Sequence, residues 1–600
     1  MQDPLPDSTL RRGELTRRTF LAEGVGAVAA GTMAGRLTRR TRRWWHPAPD
    51  LTQPLSLQRE ALRVLGRSAM RLPGSLPDPL LATATDTMPA IEHVVVLMLE
   101  NHSYDNLFGM LGRQPGQRPR GDGFTLAPDG LPAATNPYPD GSLQRAFRMP
   151  TTCQFPSRPS QEWEASHNAY DNGLNDGFVR TVISPATSEI VGAVAMGYWT
   201  GDDLPFTYGL ANKFPIADRW FSSCLAQTDP QRRYLIAATS SGMTDDIGTS
   251  PGNAVANSTL GIPAANGTIF QRLSAAGVSW IDYAENSTVG ATMNLFPSND
   301  GAYQESNLKP IAQFFADAKA GKLPSFSLLD PNYGTQSQEN PQNIAVGEGL
   351  LGQVVDALGS SPKWRQSMLI FTYDEHGGYY DHVPPPVALA PDAIPPAVNP
   401  GESTYDGFAR YGFRVPAVVI SPYAKRDYVS HMVYDHTSIL AFLERKWNLA
   451  AMTYRDANAN DLTDFLDLAA MSSAQPTFPE LPSLPAPGND PARLACSETG
   501  PGKVPAPIPP QQLLISSIRV RSKHRQVVIQ LHTDRGTLDG IELELRRRGH
   551  VLARQRVASV GYSPQRVLLH LRASKFKRGR YAVVARQNGR ELAQRTVYVR

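Results

Sequence analysis

Two short polar segments each follow an apolar run that is typical of a buried strand. Glu100-Asn101 follows residues 91–99, and Asp374-Glu375 follows residues 369–373. Because the carboxyl ends of parallel strands meet at one edge of a sheet, these side chains are expected to converge there. Buried carboxylates are costly unless their charge is compensated, and oxygen donors suit a hard cation. The two segments therefore predict a site for one divalent metal ion (Ca²⁺, Mg²⁺ or Mn²⁺), although local helix caps or arginine pairs are the alternative.

A threonine precedes a helix-like run in Thr228-Asp229-Pro230-Gln231-Arg232. A proline is favoured at the start of a helix, where free backbone N–H groups and the helix dipole attract an anion. The same N–H groups would stabilise charge if the Thr228 hydroxyl attacked a phosphate. We therefore predict Thr228 as a nucleophile and Arg232, one turn later, as a phosphate ligand. Taken alone, such a threonine is more often a simple helix cap.

Four histidines lie close to these segments or downstream of strands: His167, His376, His431 and His436. A histidine can protonate a leaving alkoxide, or bind phosphate when it is charged. A single histidine is more often structural than catalytic, but four beside carboxylates favour function. We predict catalytic roles for His167, His376 and His436, and phosphate binding for His431.

Strand patterns alternate with helix patterns through the first three quarters of the chain. This alternation predicts an α/β domain with a mainly parallel sheet flanked by helices. The predicted strands are 91–99, 278–283, 369–373 and 415–421, and the predicted helices are 231–239, 268–276, 347–358 and 438–447.

A proline-rich segment separates this domain from a basic C-terminal region. Residues 475–510 contain 11 prolines, which predicts a stiff, extended linker. Residues 511–600 show six short strand patterns separated by polar turns, which predicts a small β-sandwich. This region carries 20 basic and 5 acidic residues. The predicted organisation is a signal region at 1–45, an extension at 46–90, a catalytic domain at 91–474, the linker at 475–510 and the sandwich at 511–600.

The N-terminus contains an arginine pair, Arg17-Arg18, followed by a weakly apolar run at residues 22–35. That run is shorter than the roughly 20 residues that span a membrane, so the pattern indicates a twin-arginine export signal. A basic N-terminus without a targeting role is the alternative. We therefore predict an exported protein, secreted or associated with the cell surface. The three cysteines are too widely spaced for a zinc site or a disulfide framework, but one pair could still form a bridge.

Several of these motifs together resemble the bacterial phosphoesterase family of phospholipases C and acid phosphatases. The resemblance covers about residues 90–450 and rests on residues 97–105, 228–232, 372–383 and 435–438. It implies an alkaline-phosphatase-like α/β fold and hydrolysis of phosphoric esters. It also implies that His167 matches an active-site histidine, that Thr228 is both nucleophile and metal ligand, and that the other ligands are Glu100, Asn101, Asp374 and Glu375.

The chain departs from the family pattern at two positions. Glu339-Asn340-Pro341 stands where the family often has a His-Pro pair, which puts the leaving-group acid and the substrate choice in doubt. Gln231 stands where the family usually has asparagine, which is a milder change.

These features predict an exported, metal-dependent phospholipase C that cleaves phospholipid through a phospho-threonine. An acid phosphatase acting on soluble phosphomonoesters is the alternative. A non-catalytic surface-binding protein is less favoured because the predicted ligands and nucleophile are intact, and a metallopeptidase because His-Glu-x-x-His is missing. The basic residues 511–600 predict peripheral contact with an anionic membrane or cell wall, with a solvated structural domain as the alternative. No nucleic-acid partner is predicted.

Overall fold

The computed structural model describes residues 51–600 except 157, 182–188, 249–253, 286–290, 297–303, 489–495, 522–524, 572–576 and 600. The predicted twin-arginine segment lies outside the described residues. The chain divides into two compact units. The larger comprises the residues up to Asn136 and Arg145–Pro505, and the smaller comprises Pro137–Gln144 and Ala506–Arg600.

An eight-stranded sheet forms the centre of the larger unit. Its strands lie in the order β8-β2-β7-β6-β1-β5-β3-β4. Their bounds are β1 His93–Leu99, β2 Ile216–Ala217, β3 Trp280–Ala284, β4 Leu308–Lys309, β5 Phe326–Asp330, β6 Ser367–Tyr373, β7 Ala417–Ile420 and β8 Val429–Ser430.

The middle of this sheet is parallel and fully buried. Strand β1 pairs in parallel with β6 on one side and with β5 on the other. Every residue of β1 and β6 is buried, as their continuous apolar sequences require for a sheet covered on both faces. The predicted α/β fold with a mainly parallel sheet is confirmed, and β7 is an exception because it runs antiparallel to both β6 and β2.

Eight helices of seven or more residues accompany the sheet in the described part of the chain: α1 Leu55–Val64, α2 Trp163–Tyr170, α3 Pro205–Lys213, α4 Thr228–Ala237, α5 Ile269–Ala275, α6 Ile311–Ala320, α7 Ile344–Gly359 and α8 Thr437–Trp447. Shorter helices are Tyr104–Phe108, Phe178–Thr181, Glu189–Val194, Ala254–Ser258, Gln304–Asn307, Tyr454–Asn458, Leu468–Ser472 and Cys496–Thr499. Within the described ranges, no helix has both the length and the apolar character that crossing a membrane requires.

The proline-rich segment packs closely against the larger unit. Pro485 lies over Gly209 and Pro487 over Gly352, at positions where a Cβ atom on the glycine would come within 2.4 and 2.5 Å of the proline ring. Cys496, within this segment, forms a disulfide with Cys153. The sequence left open whether two of the three cysteines form a disulfide, and Cys153 and Cys496 do so in the structure.

The smaller unit is a sandwich of antiparallel sheets. A three-stranded sheet has the order β9-β10-β13 and a four-stranded sheet the order β12-β11-β14-β15. Side chains from both sheets form one apolar core, including Ile529 and Leu543, so the predicted β-sandwich is confirmed. The structure has one more strand than predicted, β12. The bounds are β9 Leu513–Arg521, β10 Gln526–Thr533, β11 Leu538–Arg547, β12 His550–Val560, β13 Gln565–His570, β14 Gly579–Gln587 and β15 Arg590–Val599.

Candidate active site

The pairing of β1 with β6 brings the two polar segments together. Leu99 pairs with Tyr373 at the end of the strands, so the residues that follow them become neighbours. The backbone N–H of Asn101 donates to Asp374 Oδ1 at 3.0 Å, and the N–H of Glu375 donates to the same oxygen at 2.7 Å. All four predicted ligands are buried, including Glu100. The convergence expected from the sequence is therefore present.

Two backbone features allow these segments to pack so closely. Asn101 adopts a left-handed conformation with a φ of 70°. Gly377 also has a positive φ of 65°, and a Cβ atom there would lie 2.0 Å from the carbonyl oxygen of Asn101. Only glycine fits both the conformation and the space. The glycine after the acidic pair thus lets the β6 loop turn against the β1 loop.

Thr228 is the first residue of α4 and lies beside the same carboxylates. The Thr228 side chain lies near enough to Asp374 to lower the pKa of that carboxyl, against the larger effect of burial. The loop before it is held by Gln231, whose Oε1 accepts the Ser223 N–H at 2.8 Å and whose Nε2 donates to the Cys224 carbonyl at 2.7 Å. The residue that departs from the family pattern therefore still anchors the turn that presents Thr228.

The carboxylates of this site are strongly affected by burial. Burial raises the pKa of Asp374, although the Arg232 guanidinium and the Asn101 N–H act in the opposite direction. Burial, followed by the negative charge of Asp374, also raises the pKa of Glu375 well above its usual value. A positive charge is needed to keep both groups ionised in this environment.

Arg232 supplies part of that positive charge. Its guanidinium lies 3.8 Å from Glu100 and 4.0 Å from Asp374, and it forms an ion pair with Asp330 at 3.1 Å. It also donates to the carbonyl of Met98 at 3.3 Å. These are contacts to the protein's own acceptors, so the predicted binding of phosphate by Arg232 remains a prediction.

Asp330 is a member of this arrangement that the sequence analysis missed. It is the last residue of β5, the neighbour of β1, and it is fully buried. Its side chain accepts hydrogen bonds from the Thr292 hydroxyl at 2.7 Å and the Tyr333 hydroxyl at 2.9 Å. A carboxylate at the end of an apolar strand was the signal used for Glu100 and Asp374, and the same signal marks Asp330.

The predicted ligands suit a hard divalent cation. They offer carboxylate and amide oxygens, which is the donor chemistry of Ca²⁺, Mg²⁺ and Mn²⁺. Among the described residues, Asn101 Oδ1 and Glu375 Oε1 are buried and lack a hydrogen-bond partner. Buried oxygens without a partner are rare, and an ion is one way to satisfy them.

Two predicted histidines contact this group directly. His436 Nε2 lies 2.6 Å from the carbonyl oxygen of Asp374, so Nε2 carries the proton and donates it. His376 Nδ1 lies 3.0 Å from Glu375 Oε2. Burial lowers the pKa of His376 to about 3, and burial lowers that of His436 to about 4.

The other two predicted histidines lie apart from the carboxylates. His167 Nδ1 donates to the Trp163 carbonyl at 2.7 Å, and its ring stacks on Tyr405 at 4.0 Å. Burial lowers the pKa of His167 to about 4. The His431 side chain is 74% exposed and contacts Asp218 at 2.9 Å. The structure gives neither histidine a contact with the predicted ligands, and their roles remain predictions.

A second group of side chains could also hold a metal ion. Potential ligand atoms of Asp105, Asp381 and His382 all lie within 4.8 Å of one another. Here, however, the protein supplies its own positive charges. Arg414 contacts Asp381 at 2.9 Å and Asp105 at 3.3 Å, and all three are fully buried.

His382 contributes the second positive charge of this group. Burial alone would lower the pKa of His382, but the neighbouring Asp105 carboxylate, at 2.7 Å, helps to raise it to about 10. Two carboxylates are thus balanced by two cations. Asp105 follows Asn101 by four residues and Asp381 follows Glu375 by six, so the network ties together the two loops that carry the predicted ligands.

Arg158 is a further cation near the site that the sequence did not reveal. It forms an ion pair with Glu339, and its side chain is 38% exposed. Burial alone would lower the pKa of Arg158, but Glu339, Asp246, Glu375 and Glu100 raise it. The next residue, Pro159, packs against Gly378 in the loop after the acidic pair. Arg158 is therefore a partly accessible cation beside the predicted ligands.

The sequence of this chain is similar to those of known proteins. The profile of the Phosphoesterase family matches residues 91–450, which contain every predicted site residue. The chain belongs to the Phosphoesterase family. The predicted resemblance is thereby confirmed, and so is the prediction of a phosphoric ester hydrolase.

Several members of the Phosphoesterase family are similar to this chain. Phospholipase C A of Mycobacterium tuberculosis is 31% identical over 436 residues, which cover 66% of this chain and 82% of the relative. Hemolytic phospholipase C of Pseudomonas aeruginosa is 27% identical over 515 residues, covering 78% and 64%. Non-specific phospholipase C1 of Arabidopsis thaliana is 29% identical over 397 residues, covering 61% and 69%.

Proposed function

We propose that this phosphoesterase is an exported, metal-dependent phospholipase C that uses Thr228 as its nucleophile. One observation carries the proposal: Thr228, at the start of a ten-residue helix, lies beside Asp374 at the point where Glu100, Asn101 and Glu375 converge. The relatives named phospholipase C support the choice of a phosphodiester substrate.

The reaction proceeds by two displacements at phosphorus. The Thr228 oxygen attacks, the bond between phosphorus and the glycerol oxygen breaks, and diacylglycerol leaves after taking up a proton. Water then attacks the phospho-threonine, which releases the phosphorylated head group and restores the hydroxyl. The first-turn N–H groups of α4 already have acceptors, since that of Asp229 donates to Asp246 at 2.7 Å. The positive end of the α4 dipole, at Thr228, therefore stabilises the charge that develops on the phosphoryl oxygens.

The predicted metal ligands have a defined place in this scheme. Glu100, Asn101, Asp374, Glu375 and the Thr228 hydroxyl would hold the ion. A divalent cation at such a site neutralises phosphate charge and lowers the pKa of a neighbouring hydroxyl. Arg232 places a positive charge 3.8 Å from Glu100 and 4.0 Å from Asp374, which favours the ionised form of Asp374.

The cysteines support the proposed export. The disulfide between Cys153 and Cys496 closes a loop of more than three hundred residues within the larger unit. Structural disulfides persist mainly outside the cytoplasm. Cys224 is buried and free, and burial raises its pKa to about 12, so it would not compete as a reactive thiol.

A substrate comparison tests the proposed function. The purified full chain, loaded in turn with Ca²⁺, Mg²⁺ or Mn²⁺, is assayed on phosphatidylcholine and on p-nitrophenyl phosphate. Diacylglycerol release with a higher kcat/KM on the lipid is the expected result. A preference for p-nitrophenyl phosphate would instead identify a phosphomonoesterase, and inactivity on both substrates with every metal would contradict the proposal.

We expect Arg158 to bind the substrate phosphate, because it is the partly exposed cation beside the ligands. Replacing Arg158 with glutamine should lower kcat/KM by about 10- to 100-fold, mainly through KM, since a hydrogen bond to a charged group contributes about 1.5–3 kcal/mol. Steady-state kinetics on short-chain phosphatidylcholine measures the change.

Glu339 provides the matched control for this prediction. The Glu339→Gln variant removes the protein partner of Arg158 and leaves the guanidinium free for substrate. Its KM should stay equal or fall. If both variants raise KM equally, the pair has a structural role and Arg158 does not bind phosphate.

A further inference from the structure

The acidic residues of the smaller unit are distributed unevenly between its two sheets. Residues 511–600 contain five: Asp534, Asp539, Glu542, Glu544 and Glu591. Asp539, Glu542, Glu544 and Glu591 lie on strands of the four-stranded sheet, while β9, β10 and β13 contain no acidic residue. The excess positive charge therefore cannot be neutralised within the three-stranded sheet.

The four-stranded sheet compensates much of its own charge. Glu544 contacts Arg546 at 2.5 Å, Arg554 at 2.9 Å and Arg586 at 3.6 Å. Arg554 also lies 3.7 Å from Glu542. Glu542 and Glu544 thus pair with arginines of the same and of neighbouring strands, and these pairs compensate part of the positive charge of the four-stranded sheet.

The outer face of the three-stranded sheet has a different character. Alternate residues such as Val527, Ile529, Val567 and Leu569 point into the core, so the residues between them face outward. The exposed outward residues include Arg519 and Arg521 on β9 and Arg566 and Leu568 on β13. We call these four residues the cationic face.

Strand register places the members of the cationic face close together. Arg519 pairs with Val528, which pairs in turn with Leu568, so these three form one row across the sheet. Arg566 lies in the adjacent row opposite Gln530. Leu568 is 42% exposed between the arginines. The outward side of the three-stranded sheet therefore presents arginine side chains near an exposed apolar side chain.

We propose that the cationic face docks this phosphoesterase on an anionic phospholipid surface. Guanidinium groups bind phosphate oxygens bidentately, and an exposed leucine among them can enter the interface between head groups and acyl chains. The choice of lipid rests on the proposed phospholipase function, because an enzyme that cleaves phospholipid must reach a membrane.

Vesicle sedimentation with the full chain tests this proposal. The vesicles are phosphatidylcholine with or without phosphatidylglycerol. The triple variant Arg519→Gln, Arg521→Gln, Arg566→Gln should bind the phosphatidylglycerol vesicles about 100-fold more weakly than the unmodified chain, since each basic residue near an anionic surface contributes about fivefold. Binding of the unmodified chain should also weaken as salt is raised.

A matched triple variant distinguishes vesicle binding by the cationic face from vesicle binding by the overall positive charge. Arg548, Arg556 and Arg580 are exposed in the four-stranded sheet or its turn. Replacing these three with glutamine changes the net charge equally and should alter vesicle binding less than about threefold. Equal losses in both variants, or equal binding of the unmodified chain to vesicles without phosphatidylglycerol, would overturn the proposal.

A parallel assay distinguishes this proposal from the proposed function. Hydrolysis of monomeric short-chain phosphatidylcholine should be unchanged in both triple variants, because none of the six arginines belongs to the candidate active site. If the chain binds phosphatidylglycerol vesicles but does not hydrolyse the short-chain lipid, the proposed function is contradicted and the proposed docking surface is supported. If the chain hydrolyses the short-chain lipid but does not bind phosphatidylglycerol vesicles, only the proposed docking surface is contradicted.

Discussion

Replacing Thr228 with alanine should lower kcat by about 10⁴- to 10⁶-fold, the loss that follows removal of a catalytic nucleophile. The physical reason is that the variant keeps the phosphate-attracting helix start but has no oxygen to attack phosphorus. Because Thr228 contributes only a small side chain at the first position of α4, the fold should be retained. Initial rates on short-chain phosphatidylcholine and a thermal unfolding curve measure the two effects.

The serine variant is the control for this result. Thr228→Ser keeps a hydroxyl in the same position beside Asp374 and should retain measurable turnover. Acid quenching during turnover, followed by peptide mass analysis, should find the phosphorylated head group on residue 228 in the unmodified chain and none in the alanine variant. An alanine variant that keeps more than about a tenth of the activity would exclude Thr228 as the nucleophile.

The second large effect is expected at Asp374. Asp374→Asn should weaken divalent-metal affinity by at least about 100-fold, more than the 10- to 100-fold caused by changing groups that only support a ligand. Asparagine keeps an oxygen that can accept the N–H groups of Asn101 and Glu375, which Asp374 Oδ1 accepts at 3.0 and 2.7 Å. The loop should therefore hold its shape while the site loses one negative charge.

The metal content of two variants locates the ion. Elemental analysis and calorimetric titration are performed on Asp374→Asn and on His382→Gln, which alters the second candidate group. His382 is partly exposed, and Arg414 already balances the carboxylates beside it, so His382→Gln should keep its metal. Loss of metal from His382→Gln with retention in Asp374→Asn would move the ion to the group of Asp105 and Asp381.

Much of the candidate site could be predicted from local sequence, because residues that directly follow a buried parallel strand lie at the edge of the sheet. Apolar runs at residues 91–99 and 369–373 indicated buried parallel strands, and the polar residues after them had to emerge at one edge. Thr228 was readable because proline and free N–H groups mark a helix start. The charge contrast between residues 511–600 and the rest of the chain was likewise a property of composition.

Other features of the structure depend on which segments, far apart in the sequence, come into contact in the fold. Arg158 reaches the site through the packing of Pro159 on Gly378, and nothing in its local sequence marks it. The contact of His431 with Asp218 likewise depends on the fold, because His431 follows β8 at the edge of the sheet; its predicted binding of phosphate remains a prediction. The pairing of Cys153 with Cys496 also required the path of the whole chain.

The sequence by itself determined the α/β class, the family motifs and the basic character of the C-terminal sandwich, and it predicted the oxygen-donor ligand set. These follow from residue type and short-range periodicity, which act within one element. Only the tertiary structure decided that Arg414 and His382 lie against a second acidic group, and that Arg519, Arg521 and Arg566 share one face of the three-stranded sheet. Charge compensation depends on distances of a few ångströms between residues far apart in the chain, and local sequence carries no information about those distances.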